Sequence, residues 1–214
     1  MINPQIATRE RYSVMPREEK DSTTEGSASS RQLAEWCRKL RNSDHRAYEE
    51  IFRTLYDPLL NYAVYLTKSR PVALDIIQDA FLKLWEKRST LNPDKSVKAL
   101  LYLIVRNLAF NHNRDTSSRS AKLSDPIYQP LPNDPGPEEA FKASELKEKI
   151  DGWIDSLPIR QREALVLSRM QGLSHEEIAA VMNVSPRTVN NHIVRALKYI
   201  HGQVQGYEPT LLKS

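Results

Sequence analysis

Five prolines fall between positions 126 and 137, inside the stretch SDPIYQPLPNDPGPEEA, and no regular helix can be carried through them. Each proline fixes its own φ, lacks a backbone donor, and pushes the residue before it towards extended backbone. The chain is therefore expected to divide here, with residues 120–140 acting as an extended tether between two separately built parts. The tether is also acidic: Asp125, Asp134, Glu138 and Glu139 stand in it without a single base between them.

Both flanks read as helical. From about Arg31 to Arg119 glycine is scarce and no strand-like alternation occurs. Helical periodicity resumes near Phe141 and runs to about Val204. Residues 1–30, which end in DSTTEGSASS, have no periodicity and are expected to be a flexible tail. Residues 205–214 are expected to fray. The predicted fold is all-α, two small helical domains joined by a proline-rich linker, with no internal repeat.

Composition narrows the functional classes. Hydrophobic residues make up 40% of the chain and charged residues 27%, as in soluble globular proteins. No run of eighteen apolar residues exists, so no transmembrane helix is expected. The charged N-terminus lacks the apolar core of a signal peptide. The single cysteine, Cys37, excludes an internal disulfide and a cysteine-cluster metal site. A reducing, cytoplasmic setting is expected, with no cofactor. Net charge is only +4, but its distribution is uneven. Between Lys98 and Lys122 five bases face Asp115 alone, and basic character returns after the acidic tether. Two positive zones flanking an acidic strip suggest two nucleic-acid contacts.

The second zone has a recognisable shape. In GLSHEEIAAVMNVS, Ser174 and Glu177 form a capping box that starts a short helix. Ile178, Ala179 and Met182 supply its buried face. Asn183 stands where the chain should turn left-handed, and Val184 can plug the corner. SPRTVNNHIVRAL then begins a second helix, with Ser185 as cap and Pro186 in the first turn. Val189, Ile193 and Leu197 make its apolar side. The opposite side carries Arg187, Asn190, Asn191, Arg195 and Lys198, with no carboxylate from Ser185 to His201. A merely solvated face mixes signs; this one does not. The pattern is a helix-turn-helix with its second helix directed at a DNA major groove. Arg187, Asn191 and Arg195 are the candidate groove contacts, Thr188 and Lys198 the candidate phosphate contacts. His192 reads equally as a packing residue. Upstream, Trp153, Ile154, Ala164, Leu165, Leu167 and Met170 are expected to form the packing platform.

In the first part, RPVALDIIQDAFLKLWEKR puts Ile76, Ile77, Ala80, Phe81, Leu84 and Trp85 on one apolar face. Asp75, Gln78, Asp79 and Glu86 fall opposite, as a solvated or protein-binding surface. In SVKALLYLIVRNLAFNHNRDTSSR, Val97, Leu100, Leu101, Ile104 and Leu108 form the buried stripe. Tyr102, Arg106, Asn107, Asn111 and Arg114 point elsewhere, a mixture suited to stacking on exposed bases and gripping phosphates. A core tyrosine among ordinary surface arginines fits the same spacing. Nothing in the chain pairs a nucleophile with a base, builds a glycine-rich phosphate loop or clusters metal ligands, so an enzyme is not expected.

Taken in order, these segments resemble bacterial sigma factors of the extracytoplasmic-function (ECF) subfamily of sigma-70, over roughly residues 31–202. ALDIIQDAFLKLW is similar to that family's core-polymerase-binding segment, SVKALLYLIVRNLAFNHNR to its −10-reading segment, and LPIRQREALVLSRMQGLSHEEIAAVMNVSPRTVNNHIVRAL to its −35-reading domain. The resemblance implies a sigma2-like domain at 31–119 and a sigma4-like domain at 141–204. It implies core RNA polymerase as a partner, through the β′ clamp helices (Asp75, Gln78, Asp79, Leu82) and the β flap, together with promoter DNA and an anti-sigma factor. Tyr102, Arg106, Asn107, Asn111 and Arg114 would lie along the −10 strand. The loop Ser89–Ser96 would shape a pocket for a flipped base. Arg187, Thr188, Asn191, Arg195 and Lys198 would serve the −35 element. The tether would run along the polymerase's RNA path. Leu74 stands where the family most often has an acid, and STLNPDK lacks the arginines common in that loop. The alternative readings are a helix-turn-helix regulator, or a sigma mimic that titrates an anti-sigma factor.

Overall fold

The computed structural model describes residues 30–117, 146 and 148–207; the N-terminal tail, the proline tether and residues 208–214 lie outside the described residues. Among the described residues there is no strand. Helices α1 (Ser30–Arg41), α2 (His45–Thr67), α3 (Arg70–Glu86) and α4 (Val97–Ser117) make the first part. The second consists of α5 (148–155), α6 (Ile159–Leu165) running into a π-helical turn (Val166–Met170), α7 (His175–Met182) and α8 (Pro186–Tyr207).

The helix ends follow local chemistry. Asp44 starts α2 by accepting from the amides of Arg46 and Ala47 at 2.8 and 3.2 Å. Lys68 stops it in a left-handed conformation (φ 55°), its amide bonded to the Val64 carbonyl. Pro71 opens α3, where a missing amide costs nothing. The apolar stripe of α3 is buried as its spacing predicts: Ala73, Ile76, Ile77, Ala80, Phe81 and Leu84. Trp85 is half-buried at the rim, with the His45 ring tilted against it at 4.6 Å and the Arg88 guanidinium 4.3 Å from its ring.

The main hydrophobic cluster does not stop at the boundary between the two parts. It runs from Leu40, Ile51, Leu59, Phe81 and Leu101 into Leu167, Ile178, Val181 and Val189 of the helix-turn-helix side. Helix α4 packs against both α2 and α3 on one side and α7 on the other. A smaller cluster of Leu157, Leu165 and Ala196, with Ile154 and Ile200 against it, ties α6 to α8.

Two apolar expectations fail for geometric reasons. Leu197 is exposed, and Ala196 takes its place in the core. A spacing of four residues overshoots the helical turn by about 40° per step, so the third member of Val189, Ile193, Leu197 has rolled towards solvent. Met170 is also exposed. It ends the π turn, whose wider i→i+5 bonding (Gln171 N to Val166 O, 3.2 Å) shifts the register of the buried face.

Candidate functional sites and the seam between the domains

The helix-turn-helix forms as its sequence dictates. Ser174 Oγ accepts the Glu177 amide at 3.2 Å, and Glu177 Oε2 accepts the Ser174 amide at 2.8 Å. Asn183 is left-handed at φ 54°, ψ 54°, and Val184 packs against the core beside it. Ser185 Oγ then accepts the Thr188 amide at 3.1 Å to start α8. With Val189, Ile193 and Ala196 turned inward, Arg187, Asn191, Arg195 and Lys198 form one exposed row and Thr188 is half-buried beside it. His192 is half-buried as well, its Nδ1 without a hydrogen-bond partner.

On α3, Asp75, Gln78, Asp79 and Leu82 repeat at i, i+3, i+4 and i+7 and lie together on the solvent side. Leu82 is 53% exposed.

The residues of α4 divide. Asn107, Asn111 and Arg114 are exposed. Tyr102 and Arg106 do not point outward as expected. Tyr102 is fully buried, its ring 5.2 Å from that of Tyr62 in α2, and Arg106 is 7% exposed. The Arg106 guanidinium grips Glu163 of α6 with both ends, Nε to Oε1 at 2.6 Å and Nη2 to Oε2 at 3.3 Å. Tyr62 of α2 donates its hydroxyl to the same Oε1 at 3.1 Å. Phe110, exposed and unforeseen from the sequence, lies 4.4 Å below the Arg106 guanidinium.

Further bonds run along this seam. The Tyr102 hydroxyl donates to Gln171 Oε1 at 2.9 Å, and Lys98 Nζ donates to the Gln171 and Gly172 carbonyls at 2.8 and 3.3 Å. Ser96 Oγ, which also caps α4 by accepting the Ala99 amide, donates to Glu177 Oε1 at 2.5 Å. The capping glutamate of the helix-turn-helix therefore also holds the end of the Ser89–Ser96 loop. Burial raises the Tyr102 phenol well above its ordinary range, with the nearby Glu177 charge adding to it. Burial raises Tyr62 likewise, reinforced by Glu163. Lys98 is lowered by desolvation, partly offset by Glu177. Beside these contacts the seam opens into a groove of about 710 Å³, with Lys83, Lys87, Leu100 and Ile104 on one wall and Glu176 and Ala180 on the other.

Sequence reading missed Glu163, Gln171, Lys98 and Tyr62. The one available signal was Glu163 itself, a lone acid directly before the apolar run Ala164–Leu167. Among the described residues no group of histidine, cysteine, aspartate and glutamate side chains could hold a metal ion.

Comparison with known proteins gives a consistent result. Residues 51–119 match the family described as Sigma-70 region 2, and residues 147–200 the one described as Sigma-70, region 4. The chain is 32% identical over 139 residues to the ECF RNA polymerase sigma-E factor of Escherichia coli K12, covering 61% of this chain and 73% of the relative. It is 28% identical over 176 residues to the RNA polymerase sigma-H factor of Pseudomonas aeruginosa, covering 78% of this chain and 91% of that one. The fold resembles CnrH in its complex with the cytosolic domain of CnrY, with a TM-score of 0.58 at 20% identity, over 82% of this chain and 98% of that one. It also resembles RpoE in complex with the anti-sigma factor NepR from Bartonella quintana, with a TM-score of 0.59 at 20% identity, over 74% and 96%.

Proposed function

This chain belongs to the ECF subfamily of the sigma-70 family, and on that premise we propose a division of labour among its surfaces. The protein is a sigma factor: it directs core RNA polymerase to promoters. Residues 31–119 act as the sigma2-like domain and residues 141–204 as the sigma4-like domain, with 120–140 as the tether. Asp75, Gln78, Asp79 and Leu82 meet the β′ clamp helices, and the sigma4-like domain meets the β flap. Arg187, Asn191 and Arg195 read the −35 groove, while Thr188 and Lys198 hold its phosphates. Asn107, Asn111 and Arg114, joined by Tyr102 and Arg106 once these are uncovered, run along the −10 strand.

The observation that carries this reading is the pair of exposed rows, acidic and apolar on α3, basic on α8, on one chain and in the order of regions 2 and 4. The protein acts as a specificity subunit and carries no chemistry of its own. No described helix is long and apolar enough to cross a membrane, and a cytoplasmic location follows from work on core polymerase. An anti-sigma factor is a further partner, by analogy with the solved NepR complex. Titrating labelled protein with core polymerase tests the α3 assignment. Wild type binds, Asp79→Arg does not, and Arg195→Glu binds as wild type does. Equal binding by Asp79→Arg would refute the assignment.

A further inference from the structure

The groove of about 710 Å³ has an apolar floor and a charged rim. Leu84 and Leu91 are buried in the floor, whereas Leu100, Leu103 and Ile104 of α4 are only half-covered. Lys83 and Lys87 of α3 and Lys95 of the Ser89–Ser96 loop stand exposed at the rim, with Glu176 of α7 on the wall opposite α3. Among the described residues none of these three lysines pairs with a carboxylate. A trough of this kind fits a short peptide that is apolar in its middle and acidic at one end.

The chain itself carries such a peptide. RERYSVMPREEKD, residues 9–21, holds Tyr12, Val14 and Met15 close together. Glu18, Glu19 and Asp21 follow, with Lys20 the single base among them, and Arg9 and Arg11 come before. Pro16 pushes Met15 towards extended backbone, and in an extended chain Tyr12 and Val14 fall on one side. Reach is sufficient. The tail joins α1 at Ser30, and Cys37, about 10 Å further along that helix, lines the groove. Residues 22–29, polar throughout, span up to about 28 Å when extended.

We propose that the groove is the docking site of the chain's own N-terminal tail, with residues 9–21 as its occupant. Tyr12, Val14 and Met15 cover Leu100, Leu103 and Ile104. Glu18, Glu19 and Asp21 meet Lys83, Lys87 and Lys95, and Arg9 and Arg11 lie towards Glu176. Exposed ion pairs contribute little one by one. The tail, however, is tethered to α1, which supplies it at an effective concentration in the millimolar range, so weak contacts suffice. Docked, it lies against the Ser89–Ser96 loop, five of whose residues line the groove.

The test uses the full chain, ¹⁵N-labelled, with a nitroxide on Ser13→Cys; Cys37 is buried and is left in place. The label is expected to broaden the amide signals of Asn92, Leu100 and Ala180 at the groove, while Leu157 and Ala196 in the smaller cluster keep theirs. The triple variant Lys83→Glu, Lys87→Glu, Lys95→Glu, all at exposed positions, should abolish the broadening. Adding Glu18→Lys, Glu19→Lys and Asp21→Lys to it should restore the broadening, which separates charge pairing from damage to the fold. High salt should weaken docking in the wild type. Broadening that is absent, spread evenly over the surface, or indifferent to the lysine reversals would overturn the proposal. So would equal broadening when ¹⁵N-labelled chain without a nitroxide is mixed with unlabelled chain that carries one, because the occupant would then be a second copy.

Discussion

Arg106 and Glu163 stand 57 positions apart in the chain and meet at 2.6 Å, in a seam where they are 7% and 3% exposed. Phe110 lies 4.4 Å from the guanidinium and Arg160 approaches Glu163 Oε2 at 3.9 Å, but the packing of α4 against the second part is what brings the pair together. Removing the acid therefore leaves a nearly dry guanidinium with no anionic partner, only the Phe110 ring against it. Glu163→Ala is expected to lower the denaturation free energy by about 3 kcal/mol, less where the domains part and let Arg106 rehydrate. Denaturant titration followed by circular dichroism gives the number. A change of a few tenths would mean that the pair is already hydrated in solution.

The buried phenols give the seam a pH signature. Tyr62 and Tyr102 are raised above the ordinary phenol value of 10.0, and Tyr65 is pushed up to about 12, in each case mainly by burial. Below pH 10 all three are protonated whether the protein is folded or not, and their contribution is complete. Above it the unfolded chain is favoured by ionising them and the closed chain is not. Stability thus declines from about pH 10 upward and is lost as pH passes the folded values. Tyrosinate absorbance should show these groups ionising only as the structure opens. Ionisation of all nine tyrosines in one ordinary phenol transition would contradict the closed seam.

Glu177 serves two structures, closing the capping box with Ser174 and holding Ser96 across the seam. Ser174→Ala removes only the cap and should cost about 1 kcal/mol. Glu177→Ala removes both and should cost more. Parallel melts compare the two, and equal losses would show that the Ser96 bond contributes nothing.

The two kinds of contact on α8 should separate by salt. Lys198→Ala is expected to weaken −35 duplex binding on all sequences and to reduce the slope of log affinity against log salt by about 1. Arg195→Ala should cost about 1–3 kcal/mol on the preferred duplex and relax sequence preference. Anisotropy titrations at several salt concentrations distinguish the two. The assignments exchange if the behaviours do.

What could be read from the sequence is what is local. Ser174 with Glu177, Asn183 in the left-handed region and Ser185 at the head of α8 each depend on residues within three or four positions, and each is found as expected. The stripe of α3 is equally legible, because a buried face repeats at the helical period. Met170 and Leu197 mark where that rule fails: a π turn resets the register in one case, and accumulated drift rotates the side chain outward in the other. The seam was out of reach for a different reason. Tyr62 and Glu163 are 101 positions apart and Tyr102 and Gln171 are 69, and nothing in the local pattern of either partner specifies the other. Tyr102 and Arg106 have the spacing of an exposed mixed face, and contacts distant in sequence, with Tyr62, Glu163 and Gln171, make that face an interior.

The central claim is that this chain gives core RNA polymerase its choice of promoter. The most direct measurement is transcription by purified core polymerase from a library of promoter fragments, with and without the protein. The account predicts discrete start sites that share one −35 and one −10 element and vanish with either Asp79→Arg or Arg195→Glu. Core polymerase indifferent to the protein, while duplex DNA still binds it, would contradict the account and leave a helix-turn-helix regulator in its place.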